Sequence, residues 1–430
     1  MAAKTPAFET NLIHAGQSPD PTQLSRGVAI HRTSSFVFKS TEHAANLFAL
    51  KEFGNIYTRL GNPTTAILED RITALEGGAA SVAFASGTAA IFSTIITIAK
   101  QGDHIVSASN LYGGTYTQFD AILPDFGITT TFVDVKDPSN FEKAIQPNTK
   151  ILYVETIGNP ALDFADLDAI SKIAKKHKLP LVVDATFTTP ALLHSIEHGA
   201  NIVVQSLTKW IGGHGTAIGG IVTDAGNFDW SDKKFDQFNK NDKNYHGLRW
   251  AIDLPDALKP IAFALRLRTV PLRNLGASLS PDSAWIFLQG LETLNLRVAR
   301  HVENSQKVAE YLEKHKKVSW VRYPGLKADP THKVAAKYLK NGFGGVVVFG
   351  VKSGREGGGK FIDNLKLFSH LANVGDAKSL ALHPASTSHS QLSDEQQKAG
   401  GLPPELVRLS IGLENIDDLL ADLDQALALT

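Results

Sequence analysis

The sequence predicts an α/β fold: a largely parallel sheet covered on both faces, followed by a smaller α+β part towards the C-terminus. Three observations predict it. From Pro63 to Thr223, short apolar runs alternate with stretches of helical period, the pattern of strands joined by crossover helices. After Leu279 this rhythm gives way to one long helical stretch and then to mixed strands and helices. The chain has 430 residues, 43% of them hydrophobic, which exceeds one ordinary domain and is enough for a full core.

Residues 1–62 lack sustained periodicity and are rich in Thr, Ser, Gly and Pro. They are expected to form an arm lying on another surface, a second subunit. Within it, Tyr57 and Arg59 sit two apart and share a face if extended. They could offer a phenol and a guanidinium to one anion, or be a solvated pair. The large domain is expected over 63–280, beginning with a helix over Thr64–Glu76 that stops at Gly77-Gly78, then a strand over Ser81–Ala85. Ser86-Gly87-Thr88 then opens an apolar helix, and a strand, a Ser-Gly turn and a helix N-terminus in that order suit an anion. Ser86 as a plain helix cap reads equally well.

Strands follow at His104–Ala108, Thr129–Val135, Ile151–Glu155, Leu181–Asp184 and Ile202–Leu207, with helices at Thr115–Leu123 and Leu167–His177. Residues at about 224–260 break the rhythm with Asp, Lys and Asn, plus Trp230, Tyr245, His246 and Trp250, as an insertion near a site mouth or a subunit contact would. Ser280 and Pro281 cap and start a helix expected to run to about Lys316 and to cross into a C-terminal domain over 281–430. There the pattern gives strands at Val318–Tyr323, Gly345–Val351 and Leu406–Ile411, and helices at His332–Leu339, Gly359–Leu371 and Asn415–Leu427.

Ligands on such sheets bind beyond the carboxyl ends of the strands, and the chemistry-bearing residues fall there: Ser86, Glu155, Asp184 and Ser206. Beyond the last of these ends comes Lys209, flanked by Ser206 and Thr208 and followed by a glycine-rich stretch, Gly212 to Gly220. That presents an amine beside backbone a flat molecule can approach. Asp184 ends a strand 25 residues earlier. A lysine for an aldehyde, an acid for a ring nitrogen and donors for a phosphate are what pyridoxal phosphate requires. Tyr112, in a loop before Gly113-Gly114, could lie over a planar ligand or be structural. Arg408, inside a strand, suits a carboxylate or a structural ion pair.

Composition narrows the rest. Basic and acidic residues balance at 43 each, so there is no global field to attract nucleic acid or a membrane surface. No apolar stretch approaches a membrane span and the N-terminus shows no targeting pattern, so a cytoplasmic protein is expected. Cysteine is absent, which removes disulfides, thiolate nucleophiles and Cys-type metal sites. The 15 histidines show no metal-binding spacing, and no metal is expected.

Tyr57-Thr-Arg59, Ser86-Gly-Thr88, Tyr112-Gly-Gly, Glu155-Thr-Ile-Gly-Asn159-Pro160, Asp184-Ala-Thr-Phe187, Ser206-Leu-Thr-Lys209 and Arg408-Leu-Ser-Ile-Gly412 together resemble the Cys/Met-metabolism family of pyridoxal-phosphate enzymes over nearly the whole chain. The resemblance implies the fold type I transferase architecture, with a mostly parallel seven-stranded sheet in the large domain. It makes Lys209 the residue that holds the cofactor aldehyde and moves protons, with Tyr112, stacked on the ring, as the second catalytic candidate. Asp184 then pairs with the ring nitrogen. Gly87, Thr88, Ser206 and Thr208, beside Ser86, hold the phosphate, joined by Tyr57 and Arg59 of a neighbouring subunit; Glu155, Asn159 and Thr186 complete the cofactor contacts. Arg408, with Asn159, Tyr57 and the Ser379 backbone, would hold the carboxylate of an amino-acid substrate. A homodimer is the implied minimum and a homotetramer the implied assembly.

The insertion after Asp224 and the segments Thr269–Ser278 and Asn373–Pro384 resemble the branch that exchanges the acetate of O-acetyl-L-homoserine for sulfide or a thiol, a step towards methionine. Ala185 and Thr88 depart from the residues many relatives carry, Asn and Met, without removing a charge. A γ-lyase or a cystathionine γ-synthase on the same scaffold is the alternative. Gly213-His-Gly215-Thr-Ala-Ile-Gly219 would suit a nicotinamide oxidoreductase only if it opened a helix. A regulatory or scaffold protein would not need Lys209, Asp184 and the anion turn together.

Overall fold

The computed structural model describes residues 6–387 and 402–430. Its larger sheet has seven strands: β1 (Ala80–Phe84), β2 (His104–Ala108), β3 (Thr129–Val133), β4 (Thr149–Glu155), β5 (Leu181–Asp184), β6 (Ile202–Ser206) and β7 (Gly220–Asp224), in the order β1-β7-β6-β5-β4-β2-β3. All pairs from β6 to β3 are parallel, and β7 alone is reversed, between β1 and β6. The glycine-rich connection from β6 forms no helix, so the chain folds straight back as β7. Ile151, Leu152, Val182, Val183, Val203 and Val204 are buried, as strands covered on both faces must be. One edge of the sheet therefore collects the ends of β1, β4, β5 and β6.

The helix over Pro63–Glu76 is capped by the Asn62 side chain and stopped by Gly77 at φ 70°, a left-handed position that suits glycine. Its last residue, Glu76, is buried, and burial pushes its carboxyl up to about 8. Gln205 Nε2 donates to one of its oxygens, while the other oxygen and Gln205 Oε1 have no partner. The folded chain thus holds this proton at pH values where the unfolded chain, near 4.5, has lost it. Stability should fall as pH rises through that window, by up to several kcal/mol, and flatten above it. Glu76→Gln, which keeps the shape and adds a donor for Gln205 Oε1, should remove the fall. Urea unfolding of both proteins at about pH 5 and about pH 9 checks this: the variant's advantage should be small at the lower pH and large at the higher.

The stretch expected as one helix from Pro281 to about Lys316 is two helices, Pro281–Glu292 and Leu294–Lys314, broken at Thr293 (φ −115°, ψ 12°). The break belongs to the loop after Lys209. Arg297 donates to the carbonyls of Trp210 (2.7 Å) and Gly290 (2.6 Å) and to Thr293 Oγ1 (3.2 Å). The second helix carries the chain from one hydrophobic core to another, with Leu294 and Val298 in the first and Val308, Ala309 and Leu312 in the second.

A five-stranded sheet frames the second core: β8 (Val318–Arg322), β9 (Val346–Val351), β10 (Ser369–His370), β11 (Leu380–Leu382) and β12 (Leu406–Ser410), in the order β10-β11-β12-β9-β8. Side chains alternate across it. Val347, Phe349, Val407 and Leu409 fill the second core, whereas Val346, Val348 and Leu406 join the first. Arg408 shares the latter parity, paired in register with Val348, so it points towards the large sheet. The helix expected over Gly359–Leu371 is displaced to Gly354–Asn364, because the residues after it enter β10.

Two further segments complete the fold. Of residues 6–62 only Leu12, Leu47 and Asn62 are buried, and Leu12, in the helix Phe8–His14, joins the chain's own main core. The insertion at about 224–260 is not at the site mouth. It starts where β7 ends, at the amino ends of the parallel strands, and is tied there by Lys178–Asp232 and by Lys234 Nζ to the His177 carbonyl. Trp230, Phe235, Phe238 and Trp250 are buried within it. Trp230 stacks on Phe238 and Phe263.

Candidate active site

Two glycines press the turn after β1 against the end of β6. A Cβ on Gly87 would stand 2.8 Å from Ser206 Cβ, and one on Gly220 would overlap the Ser86 carbonyl. Ser86 caps the helix Gly87–Ile98 by accepting from the Ala89 amide, and its Oγ lies 3.1 Å from Thr88 Oγ1. The cap takes up the Ala89 amide and leaves those of Gly87 and Thr88 for a ligand. Thr186 ties β5 to β6: its amide donates to Asp184 Oδ1 (2.9 Å) and its Oγ1 accepts from the Ser206 amide (2.9 Å). Thr208 is anchored to Gly219, accepting from its amide and donating to its carbonyl.

Asp184 and Glu155 lie side by side in register at the ends of β5 and β4. Burial raises both carboxyls, and the neighbouring Asp184 charge raises Glu155 further. Glu155 accepts from the Tyr112 amide at 2.6 Å, which fixes the Tyr112 loop, and Tyr112 itself is 49% exposed. Gly114 has no side chain because the Tyr112 ring folds back over it. Among the described residues no Lys, Arg or His pairs with Asp184 or Glu155. A cation placed against Asp184 would return it to its ionised form.

Lys209 is the other pole. Burial, then the charge of Arg408, lowers its ammonium to about 8, so a useful fraction is neutral near physiological pH. Its Nζ donates to Asn373 Oδ1 at 2.6 Å. Arg408 donates to Asn159 Oδ1 (3.1 Å) and, more weakly, to the Asn373 carbonyl (3.3 Å). Burial brings it down to about 10, which still leaves it charged, and among the described residues no acid pairs with it. A carboxylate would complete it.

The structure thus gathers Ser86, Gly87, Thr88, Tyr112, Glu155, Asn159, Asp184, Thr186, Ser206, Thr208, Lys209 and Arg408 along one edge. It does not gather the rest. Ser379 is a correction. Its amide and hydroxyl both donate to Glu414, its Oγ accepts from the Gly412 amide, and its carbonyl accepts from the Ser369 amide. With every polar group engaged it pins two loops; Asn373, six residues earlier, is the residue of this segment that reaches Lys209 and Arg408. Tyr57 and Arg59 contact each other, guanidinium 4.9 Å over the ring. Among the described residues neither bonds to the site of its own chain. Arg59 Nε is buried without a partner.

Asn373 and Arg297 were missed by sequence reasoning. The first stands in a segment marked for its resemblance, where a hydroxyl drew attention away from a carboxamide. The second is one of two arginines, with Arg300, in a helical pattern of mixed polarity. No group of three or more His, Cys, Asp or Glu suited to a metal occurs among the described residues, and no helix there is long and apolar enough to cross a membrane. Gly213 to Gly219 lead into β7 and not into a helix, so the nicotinamide alternative has no structural footing.

Compared with known families, residues 9–428 match the model described as Cys/Met metabolism PLP-dependent enzyme. The chain belongs to that family. Its members depend on pyridoxal phosphate. This member is 53% identical to an O-acetyl-L-homoserine sulfhydrylase of Leptospira meyeri, covering 97% of this chain and 96% of the relative. It is 49% identical to a homocysteine synthase of Schizosaccharomyces pombe, covering 99% of each. A crystal structure from Campylobacter jejuni, described as an O-acetylhomoserine (thiol)-lyase, superposes with a TM-score of 0.94 at 41% identity, covering 98% of this chain and all of that one. That crystal carries an N'-pyridoxyl-lysine-5'-monophosphate. The residues of this family member fit the cofactor. A buried acid without a cation, a partly neutral lysine and a cramped turn of free amides match its ring nitrogen, aldehyde and phosphate.

Proposed function

We propose that the chain converts O-acetyl-L-homoserine and sulfide into L-homocysteine and acetate, with a thiol as a possible acceptor in place of sulfide. One observation carries the reading: Lys209, partly neutral, shares one sheet edge with an acid that lacks a cation and, through Asn373, reaches an arginine that lacks an anion. The sulfhydrylase and homocysteine-synthase relatives support the choice of substrate.

In this reading Asp184 would keep the cofactor's ring nitrogen protonated, and Gly87, Thr88, Ser206 and Thr208 would hold its phosphate, with Tyr112 over the ring. When bound, the cofactor supplies an electron sink for the substrate's Cα. Arg408, steadied by Asn159, orients the substrate carboxylate. Lys209 Nζ would take the Cα proton, give it up to the bound cofactor and, neutral again, take a Cβ proton as acetate leaves the γ-carbon; once hydrosulfide has joined that carbon, the same amine would return protons to Cβ and Cα. Burial serves that step by keeping part of Lys209 neutral.

Tyr57 and Arg59 would complete the phosphate site of a neighbouring copy. The partnerless Arg59 Nε and an arm exposing Val37 and Phe53 support an assembly of at least two chains, a homotetramer in this reading, acting in the cytoplasm. The arm over 1–62, the cofactor domain over 63–280 and the C-terminal domain over 281–430 are its proposed parts, the second hydrophobic core supporting the last.

Product analysis tests the reading. Purified protein with O-acetyl-L-homoserine and sulfide should yield homocysteine and acetate in equal amounts. Release of 2-oxobutyrate and ammonia whether or not sulfide is present would place it with the γ-lyases, and condensation with cysteine in preference to sulfide would place it with the cystathionine synthases.

A further inference from the structure

We propose that Asn373 is the positioning residue of the proton-carrying lysine, its side-chain oxygen giving the Lys209 amine a second resting place while its main-chain oxygen ties that place to Arg408. The inference rests on the reading above, in which one amine serves two adjacent carbons. An amine that does so needs somewhere defined to go between them. Among the described residues Asn373 Oδ1 is the only side-chain acceptor on Lys209 Nζ. The ammonium form can only donate there, so it faces the oxygen of the carboxamide.

Asn373 is held in place by its surroundings. The Gly375 amide donates to Ser410 Oγ (2.9 Å) on β12, and the Ala377 amide donates to the Gly213 carbonyl (2.8 Å) in the loop after Lys209. Gly375 lies at φ 77°, with its missing Cβ 2.6 Å from the Trp210 amide nitrogen. The segment 373–377 is thereby clamped between Lys209's own loop and Arg408's own strand. An anion on Arg408 and an amine on Asn373 are read by one short piece of backbone.

The choice of a carboxamide also has a chemical reason. It accepts strongly yet carries no charge, so it holds the amine without fixing it as an ammonium. A carboxylate in its place would favour the charged form. The charged group acting on Lys209 from the neighbouring strand is Arg408, whose effect is opposite.

The test uses two variants and two readouts. In the holoenzyme, exchange of Cα and Cβ protons of L-methionine in heavy water is followed by NMR, since both carbons then report without turnover. Asn373→Ala should keep Cα exchange within about threefold of the parent and slow Cβ exchange at least about tenfold, on the scale of losing a positioned proton-transfer geometry. In the apoprotein, competitive acetylation followed by peptide mass spectrometry gives the pH midpoint of Lys209 directly. Asn373→Asp should raise that midpoint, and Asn373→Ala should not. Equal slowing of both exchanges by Asn373→Ala, or of neither, overturns the proposal, as does an unmoved midpoint in Asn373→Asp. A parent that exchanges neither proton sinks the proposed reaction and with it the two-carbon role. The apoprotein readout then still decides whether Asn373 governs Lys209.

Discussion

Lys209→Ala should lower turnover by at least about a thousandfold, the usual scale for removing a positioned proton carrier. The charged groups of the site offer no substitute. Asp184 and Glu155 are buried acids on the far pole, and Arg408 stays protonated at any pH at which the enzyme works. The loss should be chemical and not structural. The loop bearing Lys209 is fixed by Arg297 on the Trp210 and Ile211 carbonyls and by Gly212 N to the Leu207 carbonyl, none of which uses the lysine side chain. Thermal unfolding of the cofactor-free variant should therefore match that of the cofactor-free parent. Near-normal turnover would remove Lys209 from the mechanism.

Arg408→Ala should act mainly on amino-acid binding, costing roughly 2 to 4 kcal/mol in kcat/KM for a charge-assisted pair lost from a poorly hydrated site. That corresponds to a factor of about 30 to about 1,000. Arg408→Lys should recover little. One ammonium cannot present the two-donor fork to a carboxylate while also reaching Asn159 Oδ1 and the Asn373 carbonyl. Steady-state kinetics with O-acetyl-L-homoserine varied at saturating sulfide measure it, and an unchanged KM with unchanged kcat would mean that another group holds the carboxylate.

Local pattern made most of the sheet legible from sequence: apolar runs bounded by turn residues placed β2 and β5 to the residue and β1, β3, β4 and β6 within two. The strand ends followed, and with them Asp184, Glu155, Ser206 and Lys209, because side chains at the carboxyl edge of such a sheet share one pocket. What was not legible depended on contacts between distant segments. Nothing in the helical period of residues 281–316 marks a break at Thr293, which is tied to Arg297 and the Lys209 loop. The aromatics of the insertion looked like site lining, yet they pack together at the opposite end of the sheet. Ser379 and Asn373 are both small polar residues in one irregular segment, and only the partners Glu414 and Lys209 show which is pinned and which faces the amine.

Borohydride reduction of the holoenzyme followed by peptide mass spectrometry shows where the cofactor is attached. Reduction makes the link between aldehyde and amine permanent, so the modified lysine can be read from the fragments. Reduction should leave a pyridoxyl phosphate group on Lys209 and bleach the protein's yellow colour. An adduct on any other lysine, or a protein that takes up no pyridoxal phosphate at all, would contradict it.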